Sequence, residues 1–555
     1  MGESVTADSN TGDLITSESI TGVPAAIFFV IGEIVAFFVY VAISRPMWFF
    51  LDEWDFLAGR TGGNLGDLFR PHNEHWVTLP VLVYRALWSV VGLHSYRPYQ
   101  IVIVLLHLAT AFLVRAVMRR AGVRPWTATV VASVLVFFGS GYQNIVLPFQ
   151  MTLVGSLVFG LVHLLLAGHD GPIDRRDYFG LAAGCAALLC SGVGVAMVIT
   201  VGIAMLIARG WRVALLHTVP LAGVYLVWFA IIGHEGYKDR HASLINVARF
   251  VRLIVAATFG ALGHFRGVGI VLAVLLLVGL FVAWRPLPRP ELRRRAAAPL
   301  GLLVGALALL CITGYGRAGH ATFQEKSRYL HLVTAMMLPA LAVAADAVMR
   351  RWRVLAPVVV VVLLVGVPGN INVIVNYMHK PIVANQLEYR QMMLSLPRVP
   401  VAKQVTRSAT PDLQLAHFVT IGWLLDGVDN GRIPKPAHIS PADEAVDTLR
   451  LSLGQAPGHL TFGEPCTNLA TTSPVFHLEP GQSILVRAIS GTAEITPASI
   501  GSDQTYPFFV ITIAGSLVVA REPVTFRVSS VSPQGGQVCA AAPLMHAALA
   551  DANAT

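Results

Sequence analysis

Ala25 to Ser44 reads AAIFFVIGEIVAFFVYVAIS, an unbroken apolar run with one carboxylate, Glu33, near its middle. A helix needs about 20 such residues to cross a hydrocarbon core, so this stretch is a membrane span. A carboxylate inside it is costly unless turned inward, and Glu33 is expected to face other helices. The run lacks a basic flank ahead of it and a small-residue cleavage site after it, so it reads as a retained anchor.

The same pattern recurs along the chain. The composition is 55% hydrophobic and 13% charged, and the mean hydropathy is +0.64. This is an α-helical polytopic membrane protein. The formal charge of +9 does not point to nucleic acid, because the Arg residues sit in short clusters between apolar runs. Such clusters mark cytoplasmic turns. With Arg119-Arg120, Arg209-Arg212, Arg285-Arg295 and Arg350-Arg353 inside, the predicted spans are 25–44, 98–118, 126–139, 151–167, 178–190, 193–208, 213–232, 267–284, 297–315, 330–349 and 354–375. That is about eleven crossings, with the N-terminus cytoplasmic and the C-terminus extracytoplasmic. Residues 1–23, rich in Ser, Thr and Gly, read as a disordered cytoplasmic tail. Val77 to Leu93 and Leu244 to Phe265 carry Arg85, and Arg249 with Arg252, at depths costing about 2.5 to 3.5 kcal/mol each. They are expected to lie in the interface.

The membrane domain spans 24–376. Beyond it, 377–555 contains no run long enough to span and reads as a soluble extracytoplasmic domain of mixed α/β type. Around Gln386 to Leu396, Leu413 to Leu425 and Pro441 to Leu453 it reads as helical or mixed. From about 456 it is β-rich, because short β-branched runs such as Ser483–Ile489, Phe508–Ile513 and Val524–Ser529 alternate with Gly, Pro and Ser, the pattern of a β-sandwich. On that side of the membrane Cys466 and Cys539 are candidates for a disulfide, whereas Cys185, Cys190 and Cys311 fall in predicted spans and read as packing residues.

In a chain so poor in charge, two polar stretches follow the first span: Leu51-Asp52-Glu53-Trp54-Asp55-Phe56 and Pro71-His72-Asn73-Glu74-His75-Trp76. If the first is helical, Asp52 and Asp55 share a face and Glu53 lies on another. A carboxylate beside lipid and near other carboxylates has a raised proton affinity, which suits a general base; the bland reading is a solvated loop. His72, Asn73, Glu74 and His75 suit hydrogen bonding to substrate. Their spacing could hold a divalent metal only with a further ligand, so metal dependence stays open.

A second constellation lies before the 330–349 span: Arg317, His320, Lys326, Arg328 and Tyr329, on the side that avoids positive charge. Arg supplies bidentate and Lys point-charge contacts to phosphate, so these read as an anion site; the alternative is membrane-lipid head-group binding. Gln143, Asn144 and Gln150, in a short outer turn, suit sugar hydroxyls or simply close the turn.

This layout resembles the GT-C superfamily of integral-membrane glycosyltransferases: an acidic pair opening the first outer loop, interfacial helices within it, about eleven spans and a soluble C-terminal domain. The resemblance covers the organisation of 25–375. It implies a polyprenyl-phosphate-linked sugar as donor and an extracytoplasmic glycan, lipid or protein as acceptor. It implies Asp52 as the base, with Glu53 and Asp55 as competitors, because this chain has Asp-Glu where the family has Asp-Asp. The segment Ser327-Arg328-Tyr329 is similar to segments that touch the donor phosphate. A transporter or flippase of lipid-linked glycans, or an inert assembly scaffold, is the competing class.

Overall fold

The computed structural model describes residues 9–60, 64–236, 242–318, 326–412, 415–436, 438–457, 466–469, 473–488, 493–499, 509–511, 516–530 and 536–540. The chain forms two compact units. The first holds Met1–Pro46, Gly63–Tyr84 and Arg97–Ala384; the second holds Met47–Gly62, Arg85–Tyr96 and Asn385–Thr555.

The first unit is helical. Among the described residues, eight helices are long and apolar enough to cross a membrane: Gly22–Ile43, Arg97–Arg120, Pro148–Ala167, Trp211–Ile231, Leu244–Gly263, Arg289–Arg317, Ser327–Arg351 and Arg353–Met378. Their outer faces are apolar, with Phe28 60%, Phe38 66% and Leu226 63% exposed. Surface of that kind is stable against hydrocarbon rather than water. At the centre, the apolar window of Ser327–Arg351 is wholly buried.

Eight is fewer than the eleven expected. Pro125–Val136, Val193–Ala208 and Val268–Trp284 are apolar but short, and the expected 178–190 span falls on the helix Arg175–Leu188 of 14 residues. Hydropathy counts apolar residues and overlooks what ends a helix. Here Val136 gives way to a tight turn at Gly139–Gly141, where a Cβ on Gly139 would meet the Asn370 carbonyl oxygen at 1.9 Å. Leu244–Gly263 errs in the other direction, since it qualifies by length and composition. It buries Val247, Phe250, Ile254, Thr258 and Leu262 and leaves Arg249 and Arg252 exposed. Thr78–Val91, expected not to span, is too short to do so. The first helix begins at Ser9, inside the stretch whose composition reads as disordered.

In the second unit the helices Gln386–Ser395, Ile421–Asp429 and Pro441–Ser452 precede the strands β1 Leu453–Pro457, β2 Cys466–Asn468, β3 Val475–Leu478, β4 Ser483–Ala488, β5 Ala493–Pro497, β6 Phe509–Ile511, β7 Ser516–Ala520, β8 Val524–Ser530 and β9 Gly536–Ala540. The last of the three helices starts with a capping box, Ser440 and Asp443 exchanging side-chain and backbone bonds. The strands form two antiparallel sheets, ordered β1-β7-β4-β9-β2 and β3-β8-β5-β6. Ile484, Val486, Val518 and Val538 from the first share a core with Leu478, Ile495, Phe526 and Val528 from the second. Two sheets enclosing one apolar layer make a β-sandwich. Cys466 and Cys539 stand opposite each other in the β2–β9 pair and are joined by a disulfide. Cys185, Cys190 and Cys311 are unbridged.

Candidate functional site

The expected site residues fall into two groups, one in each unit, and each group is built differently.

The acidic stretch belongs to the second unit. Leu51 has a left-handed backbone (φ 48), uncommon for a residue with a Cβ and worth roughly 1–2 kcal/mol of strain. The chain then turns through Trp54 N–H to Leu51 O and Asp55 N–H to Asp52 O, and widens into a π-helical turn, Asp55–Gly59. Turns of this type concentrate at functional sites. The three carboxylates part company here. Glu53 is 2% exposed; it accepts from both the Tyr96 hydroxyl, at 3.1 and 2.9 Å, and the Phe50 N–H, at 3.0 Å. Asp55 is buried against Arg60, which donates through Nε at 3.1 Å and Nη2 at 2.9 Å. Gly59 permits this closure, since a Cβ there would lie 2.7 Å from Asp55 Oδ1. Asp52 is half-buried at the turn. Trp54, at 0% exposure, anchors the segment among Trp48, Phe49 and Trp423. The expectation of a shared helical face for Asp52 and Asp55 is therefore corrected: the π-helical turn carries Asp55 inward to Arg60.

The first unit gathers the other group. His72 and His75 exchange backbone hydrogen bonds at 3.0 and 3.1 Å across a tight turn, with Asn73 left-handed (φ 51), a conformation Asn tolerates. The 233–236 turn runs close beneath, where a Cβ on Gly236 would meet Asn73 O at 1.7 Å. Glu74 pairs with Arg317 at 2.9 Å and lies 3.8 Å from His75. Gly192 has no Cβ to displace the His75 ring, whose Nδ1 would otherwise be 2.9 Å away. His72 packs edge-on to Phe149, beside Gln150. From the opposite side, Gln143 N–H donates to Ser327 Oγ at 3.3 Å and Asn144 Nδ2 donates to Arg328 O at 3.0 Å. The 143–150 turn thus meets the head of the Lys326–Arg351 helix.

Electrostatics tie these residues together. Burial pushes the His75 imidazole down to about 4; Glu74 opposes that, while Arg317, His72 and Arg328 add to it. His75 is neutral at pH 7. Burial would raise the Glu74 carboxyl, but His75 and Arg317 outweigh it and hold the group below its usual range. Tyr329 turns inward, 6% exposed, with its ring 6.3 Å from Phe250. His320 and the Lys326 side chain lie outside the described residues.

Several buried atoms of this group have no hydrogen-bond partner among the described residues: His75 Nδ1, Gln143 Oε1, Asn144 Oδ1 and Gln150 Oε1. Two more, His331 Nδ1 and Thr334 Oγ1, lie one and two turns further into the same helix and escaped sequence reasoning, as did Tyr96 and Arg60. Tyr96 stands 43 residues from Glu53, a separation no spacing rule detects. Arg60, five residues beyond Asp55, was visible as a charge near the acidic stretch.

Among the described residues, His169, Asp174 and Asp177 alone bring three His, Cys or acidic ligand atoms within 4.8 Å. Their oxygens are used structurally. Asp174 and Asp177 form a capping box, and Asp177 also binds His169 at 2.8 Å, His217 at 3.0 Å and Arg209 at 2.5 Å. An Arg in contact with the central carboxylate disfavours a cation.

No protein-family model matches the chain, and no curated protein matches it.

Proposed function

We propose that this chain is a membrane glycosyltransferase of the GT-C kind, transferring a sugar from a polyprenyl-phosphate donor to an extracytoplasmic glycan, lipid or protein acceptor in cell-envelope biosynthesis. The observation that carries this reading is the group formed by His75, Gln143, Asn144 and Gln150 with Arg317 and Arg328: buried acceptors lacking donors, beside two guanidinium groups. Hydroxyls satisfy the acceptors, and a phosphate suits the positive charge that Arg317 and Arg328 bring beside them. A phosphate-linked sugar offers both.

In this reading Pro125–Val136, Arg175–Leu188, Val193–Ala208 and Val268–Trp284 complete the crossings begun by seven of the eight long helices. Leu244–Gly263 lies in the interface, and the Arg clusters set the N-terminus inside and the second unit outside. Asp52, in the second unit, and Arg317 with Arg328, in the first, keep the roles that the sequence and its resemblance imply. The carboxylate is the base for an acceptor hydroxyl whose oxygen displaces the donor phosphate from the anomeric carbon, and the guanidinium groups are charge partners of a phosphate. Glu53 and Asp55, each held by a buried partner, support the turn that carries Asp52.

The test is sugar transfer in membranes containing the chain, using labelled polyprenyl-phosphate sugars, with Asp52→Asn, Glu53→Gln and Asp55→Asn at matched expression. Loss of turnover in Asp52→Asn with donor binding retained supports the reading. Full transfer by Asp52→Asn removes that base, and absence of transfer in wild type with every donor removes the enzyme.

A further inference from the structure

The head of the Lys326–Arg351 helix carries more polar demand than the phosphate contact accounts for. Asn144, His331 and Thr334 are 0% exposed and Gln150 is 4% exposed, yet Asn144 Oδ1, Gln150 Oε1, His331 Nδ1 and Thr334 Oγ1 make no hydrogen bond among the described residues. A buried polar atom left unsatisfied costs roughly 1–3 kcal/mol, and folded proteins tolerate few of them. Asn144 is bonded to Arg328 O, Gln150 lies in the same 143–150 turn, and His331 and Thr334 are on the helix itself; an occupant that donates would satisfy them.

The bonding around these atoms fixes their polarity. Asn144 Nδ2 donates to Arg328 O, so its open end is the carbonyl oxygen. His107 Nε2 faces the Val136 carbonyl at 3.1 Å, which only accepts, so this nitrogen carries the proton. In a neutral ring His107 Nδ1 then accepts, and its partner at 2.9 Å, His331 Nε2, must donate. His331 Nδ1 is left with a bare lone pair. The Tyr40 hydroxyl donates to the same Val136 carbonyl at 2.6 Å, locking the far end of the relay. His331 is thus pre-set as an acceptor by a chain of bonds ending at a main-chain oxygen.

We infer that His331, Thr334, Asn144 and Gln150 form a subsite for a neutral polyhydroxylated head group, with His331 at its inner end and Arg328 beside the attached phosphate. The inference rests on the donor-binding half of the function proposed above and adds what the site reads: sugar hydroxyls, through side chains that accept. It gives His331 and Thr334, both inside a membrane-spanning helix, a recognition role.

The experiment measures binding of polyprenyl-phosphate glucose, polyprenyl-phosphate ribose and bare polyprenyl phosphate to the purified full chain in lipid nanodiscs. Wild type is expected to bind at least one sugar-bearing lipid about 10-fold more tightly than the bare phosphate, the effect of about one net buried hydrogen bond. His331→Phe, Gln150→Leu and the near-isosteric Thr334→Val each erase most of that preference and leave affinity for bare polyprenyl phosphate unchanged; Arg328→Gln weakens all three lipids. Thr334→Val strands no partner, so it answers for the subsite if His331→Phe misfolds. Equal wild-type binding of all three lipids, or variants that weaken them all alike, overturns the inference and leaves the acceptors to water. Sugar-selective binding without transfer to any acceptor retires the transferase and leaves the subsite standing.

Discussion

The turn at 51–60 and the group around 72–75 look alike in sequence, both short polar stretches after the first span, yet they solve opposite problems. At 51–60 the buried charges are matched internally, Glu53 by Tyr96 and Asp55 by Arg60. Around 72–75 the ion pair of Glu74 and Arg317 sits beside acceptors that nothing among the described residues satisfies. A polar cluster that completes its own bonds holds a shape; one that leaves them open waits for a molecule. The comparison shifts weight from Glu53 and Asp55, prominent as letters, to residues such as Asn144 and His331.

The largest effect that can break this comparison is on stability. Arg60→Ala strands the buried Asp55 carboxylate and is expected to cost about 3–5 kcal/mol, read as a large fall in the melting temperature of the purified chain. A neutral result would mean that the turn is not self-locked. Asp52→Asn should separate the two regions the other way, with transfer reduced about 100-fold or more and melting unchanged, because Asp52 is only half-buried. Tyr96→Phe removes the hydroxyl from buried Glu53 and should cost about 1–3 kcal/mol by the same melting measurement.

Acidity sharpens the contrast. His75 has a folded pKa pushed down from 6.5 to about 4 by burial. The unfolded chain therefore binds the extra proton first, and this contribution, complete above about 6.5, is lost as pH falls toward 4. Asp447, in the second unit, is raised from 3.8 to about 7 by burial, against the Ser395 hydrogen bond and Arg450. Its folded form takes the proton first, so this contribution is full at low pH and lost as pH rises from about 4 to 7. The two slopes oppose each other in wild type. His75→Gln should leave a chain that loses stability as pH rises, and Asp447→Asn one that loses it as pH falls, both read as melting temperature against pH. Parallel profiles for the two variants would refute the opposed slopes. The smallest effect is at Leu51: relieving its left-handed backbone with Leu51→Gly should raise stability by up to about 1 kcal/mol, whereas Leu57→Gly, at a buried position, should lower it.

Much of the fold was legible because it is periodic. Long apolar runs located most of the spanning helices, and β-branched runs located β4 to β8 to within a residue or two at most ends. Where helices stop was less legible: the end of Pro125–Val136 depends on a turn in which Ser140 N–H donates to Asn370, 230 residues away, with the bare Gly139 against the Asn370 carbonyl. The site was half legible for the same reason. His72, Glu74, His75, Arg317 and Arg328 announced themselves as rare charges, whereas His107 and His331 lie singly within apolar runs, where nothing in the sequence sets them apart. Their pairing spans 224 residues, and only the finished bundle shows which ring nitrogen lacks a donor.

The bridge between Cys466 and Cys539 also bears on how the chain is made. Cys466 lies in β2 and Cys539 in β9, the last strand of the sandwich, 73 residues later. The earlier thiol must therefore wait, reduced, through the synthesis of almost the whole sandwich before its partner emerges. Of the other three cysteines, all in the first unit, Cys185 and Cys311 sit in helices and Cys190 in the turn after Arg175–Leu188, so few wrong partners compete during the wait. Oxidation then acts as a final clasp on a sandwich already assembled, and incomplete assembly of the two sheets would show up first as this pair left open.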